Sequence, residues 1–139
     1  MDARITGGCL CGAVRYDAAG PIVAARACWC RVCQYLACGS ASINVIVPTA
    51  DLRVEGALSD YRSVADSGSR MTRRFCPSCG THVFSAADTR PNLVVVRAGT
   101  LDDPALGAPA GVIWAKSAPA WACFDPALPR EDGQPAPVG

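Results

Sequence analysis

The sequence predicts a mainly β domain with little helix. Short β-rich stretches recur along the chain, and each is closed by Gly, Pro or Ser. With 139 residues, half of them hydrophobic, the chain is long enough to bury one core. Two cysteine pairs sit on glycine-flanked turns, the form of metal-binding knuckles between strands.

The elements follow in order. RITGGCLCGAVRYDA reads as strand, glycine-rich turn and strand, with Val14 and Tyr16 alternating with Ala13 and Arg15. RVCQYLAC suits a short helical turn. SINVIVP is a β-rich run that stops at Pro48. DLRVEG and SDYRSVADSGS give two more short strands, the second ending in a Ser/Gly turn. RMTRRFCPSCGTHVFS is a strand, a tight turn and a strand. NLVVVRAG is the most hydrophobic strand and is expected to be central. TLDDPAL is a turn with a short helix, and GVIWAKSAPAWACF holds one or two further strands. Residues 1–125 are expected to form a single zinc domain. Pro, Gly and charge dominate from Pro126, so 126–139 is expected to be an irregular, mobile tail.

The composition excludes several functions. Formal net charge is +1, and among the arginines only Arg70, Arg73 and Arg74 lie close together. That is a weak footprint for nucleic acid. No apolar run approaches membrane-spanning length, and the first residues lack the basic-then-apolar layout of a signal peptide. A cytoplasmic protein is therefore expected. There, the nine cysteines are not explained by disulfides, and an odd number cannot all pair. Metal binding or catalysis explains them better.

Cys9-Leu10-Cys11 follows Gly7-Gly8 and precedes Gly12; Cys76-Pro77-Ser78-Cys79 precedes Gly80. Together the pairs offer four thiolates, the donor set of a closed structural zinc. The site would tie the N-terminal hairpin to a turn far along the chain, and metal binding can offset that loop-closure entropy. A redox role for Cys76 and Cys79 is the competing reading, but no long helix follows the motif.

Cys28, Cys30 and Cys33 form C-x-C-x-x-C, dense enough to bind one metal from a single loop. Three thiolates with an open fourth position is the format of a catalytic zinc. Closure by His82, the only histidine, or by Cys38 would instead make a second structural site. His82 is also a possible proton shuttle or a purely structural residue. Cys123, in WACF, and Cys38 are expected to be small buried residues. Arg73 and Arg74, just before the second knuckle, either offset its charge or are solvated strand residues.

The stretches GGCLCGAVRY, CWCRVCQ, YRSVADSGSRMTRRFCPSCGTHVFS, LVVVRAGTLDDP, IWAKSAPAW and LPREDGQP give the chain a likeness to a known family. It resembles the glutathione-dependent formaldehyde-activating enzymes, a family that includes the domain of centromere protein V. The resemblance implies a twisted, mainly antiparallel fold of the β-tent type. It implies one structural zinc on Cys9, Cys11, Cys76 and Cys79, and a second, catalytic zinc on Cys28, Cys30 and Cys33. The family's named activity joins formaldehyde reversibly to glutathione, giving S-hydroxymethylglutathione, and is classed with the carbon–sulfur lyases.

The chain departs from the family at three places. Trp29 stands where a histidine is usual, Gln34 and Tyr35 follow the third loop cysteine where basic residues are frequent, and Val112 replaces a histidine before Ile113-Trp114. These changes remove imidazoles and cations from the expected site. The resulting expectation is a zinc-dependent lyase or synthase acting on a small-molecule thiol or thiol–aldehyde adduct, with glutathione as the family's thiol. Trp29, Arg31 and Tyr35 are expected to line the pocket. The alternative is a non-catalytic interaction module with two structural zincs. Nucleic acid and membrane are not expected partners.

Overall fold

A computed structural model of the chain describes residues 4–138. Ten strands and one short helix follow in the order β1 (Ile5–Gly8), β2 (Arg15–Ala18), β3 (Ala24–Cys28), α1 (Arg31–Leu36), β4 (Ser42–Pro48), β5 (Leu52–Glu55), β6 (Ser59–Val64), β7 (Arg70–Phe75), β8 (His82–Ala87), β9 (Leu93–Arg97) and β10 (Val112–Ile113). Brief 3-10 turns fill several of the connections. The mainly β architecture with scarce helix is the one the sequence predicts.

The strands form two sheets. β1, β2 and β5 make a three-stranded antiparallel sheet, and the other seven run in the order β10-β3-β4-β9-β8-β7-β6. All pairs in the larger sheet are antiparallel except β10 with β3. β9, the NLVVVR strand, is the middle strand of the seven.

Side-chain alternation assigns the two faces of the large sheet opposite tasks. On one face Val45 of β4 lies beside Val96 of β9, and Val96 beside Phe84 of β8. With Val47 and Val94 they pack against Ile5, Val14, Tyr16 and Ala18, mostly from the small sheet. Tyr16 meets Phe84 edge to face at 5.1 Å between ring centres. Each such buried Val or Phe contributes roughly 1.5–3 kcal/mol, so this shared core holds the two sheets together.

On the opposite face, polar and ionic residues stand in rows. Arg26, Asn44 and Arg97 are direct neighbours across β3, β4 and β9. Arg73, Ser85, Val95 and Ile46 form the next row across β7, β8, β9 and β4. This face carries the candidate site.

Two stretches are defined only by the structure. β3 reads ARAC-like in sequence, with alanines in place of β-branched residues, and gives no strand signal. Pairing with β4 on one side and β10 on the other makes it a strand. Of the one or two strands expected in GVIWAKSAPAWACF there is one, the two-residue β10, after which Trp114 adopts a left-handed backbone (φ 56°) and turns the chain into a 3-10 turn.

The 126–139 segment forms no strand element of its own among the described residues, yet it is tied to β10. Val112 N–H donates to Pro129 C=O at 2.9 Å, and Glu131 N–H returns to Val112 C=O at 2.9 Å. Trp114, Ala115 and Lys116 N–H groups donate to Gly133, Glu131 and Asp132.

Candidate metal centres

The sulfurs of Cys9, Cys11, Cys76 and Cys79 lie within 4.8 Å of one another. The Cys9–Cys11 and Cys11–Cys76 sulfur separations are 3.6 and 3.8 Å. A tetrahedron with metal–sulfur bonds of about 2.3 Å has edges of about 3.8 Å, so the spacing fits a four-thiolate metal. Local turn geometry builds it. Gly12 and Gly80 take φ of 83° and 76°, values open to glycine. Gly12 N–H closes the first turn on Cys9 C=O at 3.1 Å, and Gly80 N–H closes the second on Cys76 C=O at 2.8 Å. Val14 N–H reaches the Cys9 sulfur at 3.3 Å. The Thr81 hydroxyl, 3.1 Å from the Cys79 sulfur, leads the groups that lower the Cys79 thiol to about 5. Leu10 N–H donates to the same hydroxyl at 3.2 Å, joining the two knuckles.

The second cluster is Cys28 at the end of β3, Cys30 at the N-cap of α1, and Cys33 in its first turn, all buried. Their sulfurs also lie within 4.8 Å of one another. Cys33 N–H donates to the Cys30 sulfur at 3.3 Å, so the helix start that orders Cys33 also orients Cys30. Hydrogen bonds from the Cys28 and Cys30 thiols, then the Ser42 hydroxyl and the Arg97 charge, draw the Cys33 thiol down to about 2. Interaction with the Cys30 thiol, then with Cys33 and burial, pushes Cys28 up. Three sulfurs this close together suit a thiophilic cation that takes the place of their protons.

Neither Cys38 nor His82 completes this cluster among the described residues. Cys38 and Cys123 are exposed, against the expectation that both are buried. Cys38 occupies a left-handed position (φ 59°) in the turn after α1, and Cys123 lies in a loop. The His82 ring lies 5.5 Å from the Phe75 ring and is tilted 40° to it, and burial followed by the charges of Arg97 and Arg73 lowers its pKa.

A cavity of about 180 Å³ opens over the three cysteines. Its floor is the polar face of the large sheet. The β6–β7 turn supplies Ala65, Asp66, Ser67 and Ser69, while Trp114 and Gln134 come from the other side. Two hydrogen bonds fix these walls: Arg31 N–H donates to Asp66 Oδ2 at 3.0 Å, and Trp114 Nε1 donates to Gln134 Oε1 at 2.9 Å.

The three residues expected in the pocket do not line it. Trp29 is buried on the other face of the sheet, against Phe124 and Trp121. Arg31 is exposed, with its guanidinium over the Tyr35 ring, and Tyr35 itself is exposed. Gln34 is a buried bolt, donating to Trp29 C=O and Ser117 C=O at 2.8 and 3.0 Å. Arg73 does not offset the four-sulfur site: it is buried on the cavity wall, where its Nη1 donates to Ser63 Oγ at 2.6 Å. Arg74 is exposed and pairs with Asp60.

The lining holds four arginines: Arg26, Arg73, Arg90 and Arg97. Sequence reasoning singled out only Arg73. Burial lowers the pKa of Arg97 and Arg26 from the ordinary arginine value, but a guanidinium stays charged at neutral pH. No local signal marked Arg26: only once β3 is paired with β4 and β10 does strand alternation put it on the same face as Cys28, two residues on.

Residues 4–117 match the family model of the glutathione-dependent formaldehyde-activating enzyme. The chain belongs to that family. A crystal structure of a Rhodobacter sphaeroides protein, solved as a structural-genomics target, is similar at 27% identity and a TM-score of 0.59. The match covers 75% of this chain and 96% of that one. No curated protein matches the chain. Within the family's fold the two cysteine clusters are its candidate metal centres, and no helix among the described residues is long and apolar enough to cross a membrane.

Proposed function

We propose that this member is a zinc-dependent carbon–sulfur lyase or synthase acting on a thiol–aldehyde adduct of the S-hydroxymethylglutathione type. The observation that carries the reading is the position of the three-cysteine cluster on the lining of a cavity, whereas the four-cysteine cluster lies outside that cavity. A closed structural site has no need of a pocket, and a site that takes a substrate does.

On this reading Cys9, Cys11, Cys76 and Cys79 hold a structural zinc, and Cys28, Cys30 and Cys33 hold the reactive one. Zinc, when bound there, supplies the positive charge that keeps a thiol ionised at neutral pH. The chain's own residues do the rest. In the forward direction a carbon–sulfur bond forms between the substrate sulfur and the aldehyde carbon, and the former carbonyl oxygen takes up a proton. The reverse step breaks that bond and returns the proton. Asp66, the carboxylate among the described lining residues, is suited to exchange it. The lining guanidiniums hold the substrate's acid group and favour charge on the departing sulfur and oxygen. The fixed walls restrict water and limit the substrate's orientations.

The test is exchange of labelled formaldehyde with its thiol adduct, followed by NMR on the zinc-loaded protein. Exchange faster than the spontaneous reaction, and returned to the spontaneous rate in Cys33→Ser, is expected. No acceleration with any thiol contradicts the proposal.

A further inference from the structure

The cavity concentrates positive charge that the protein leaves unpaired. Outside the cavity four arginines pair with carboxylates, Arg4 with Asp17, Arg15 with Asp102, and Arg62 and Arg74 with Asp60, while Arg31, Arg53, Arg70 and Arg130 have no ion pair among the described residues. Among the described residues, none of the four cavity arginines has an ion-pair partner. Arg73 is only 3% exposed, and its Nε has no hydrogen-bond partner among the described residues; nor does the buried Nε of Arg97. What they do bind is neutral: Ser63 for Arg73, and Asn44 at 2.7 Å for Arg97. Unpaired buried charge is costly, so a site with this much of it is shaped for an anion that arrives later.

The charge balance gives the anion's valence. Three thiolates around one divalent cation leave a single negative charge, and Asp66 adds another. Set against four guanidiniums, about two positive charges stay unmatched. The cavity's size gives the second constraint. At about 180 Å³ it falls below the usual range for small-molecule sites, roughly 300–1,000 Å³, so a tripeptide must leave part of itself outside.

We infer that this pocket selects a compact dianion, a short dicarboxylate in size and charge, held through its acid groups by Arg26, Arg73, Arg90 and Arg97. This rests on the pocket being the substrate site, and it narrows the thiol of the proposed reaction to a small dicarboxylic one. Guanidinium forks suit carboxylates, since each can present two parallel N–H donors. The flanking Asn44 orients Arg97 in the sheet without neutralising it.

Titration calorimetry on the zinc-loaded protein tests this with four probes: mercaptosuccinate, 3-mercaptopropionate, 2-mercaptoethanol and succinate. Mercaptosuccinate is expected to bind at least about tenfold more tightly than 3-mercaptopropionate, and succinate to bind measurably without any sulfur. Arg90→Gln, at a partly exposed position, and Arg73→Gln are each expected to weaken mercaptosuccinate about tenfold and 2-mercaptoethanol by a clearly smaller factor. Arg90→Gln decides the matter if the buried Arg73→Gln does not fold. Affinity that ignores carboxylate number, or glutathione binding more tightly than mercaptosuccinate, overturns the inference. Equal binding of succinate and mercaptosuccinate supports the dianion pocket and counts against the thiol reaction. Binding that depends on sulfur alone does the reverse.

Discussion

Cys28 and Trp29 are neighbours in the chain and serve opposite faces of the large sheet. Cys28 lines the cavity, while Trp29 is 5% exposed and packs 5.7 Å from the Phe124 ring. Trp29 is therefore a packing residue. Trp29→Ala is expected to destabilise the protein by about 3–5 kcal/mol, with metal content retained in the folded fraction. Trp29→Phe, which keeps a ring in place, should cost less. Urea denaturation with metal analysis checks this. Unchanged stability with lost ligand binding would return Trp29 to the site.

Tyr16 gives a prediction in pH. Its hydroxyl lies 2.7 Å from Thr100 Oγ1, whose own proton goes to Arg97 C=O at 2.7 Å. Burial is the main cause that raises the Tyr16 pKa to about 12. The folded value is above the unfolded one, near 10, so the neutral phenol stabilises the fold below pH 10. That contribution is lost as pH rises toward 12. Tyr16→Phe should show a shallower loss of stability across this window than the wild type. Parallel slopes in alkaline denaturation would contradict the assignment.

The C-terminal segment is a third case. Truncation after Leu128 removes the acceptors of four N–H groups in and after β10, at Val112, Trp114, Ala115 and Lys116. It also removes Gln134 from the cavity wall. A loss of about 2–4 kcal/mol is expected from the unpaired groups. Easier proteolysis around Trp114 should accompany it. A truncated chain with wild-type melting and wild-type probe affinity would show the segment to be dispensable.

Much of this structure was legible because its signals are local. The SINVIVP run is β4 to the residue, and the RRFCPSCGTHVF hairpin is β7 and β8 around a glycine-closed knuckle. Each cysteine cluster was readable for the same reason: its cysteines come in closely spaced groups, and the fold only had to bring two pairs together. What the sequence hid depends on pairing between strands. Ala24–Cys28 has no β-branched residue and is a strand because β4 and β10 flank it. The line of Arg26, Asn44 and Arg97 exists only in the register of three strands. Trp29, Arg31 and Tyr35 surround the loop cysteines in sequence, but the turn into α1 directs them away from the cavity. The cations missing from the loop are thus supplied from β3, β7, β9 and the β8–β9 turn.

The central claim is that the two cysteine clusters have different work, one holding the fold and one facing a substrate. Zinc content and thermal melting of the wild type, Cys33→Ser and Cys79→Ser test it most directly. The account predicts about two zinc ions per wild-type chain. Cys33→Ser should retain about one, with the fold kept, whereas Cys79→Ser should lose the cooperative melt. Unfolding of Cys33→Ser, or a wild type with a single zinc insensitive to Cys33, would make the three-cysteine cluster structural or vacant and contradict the account.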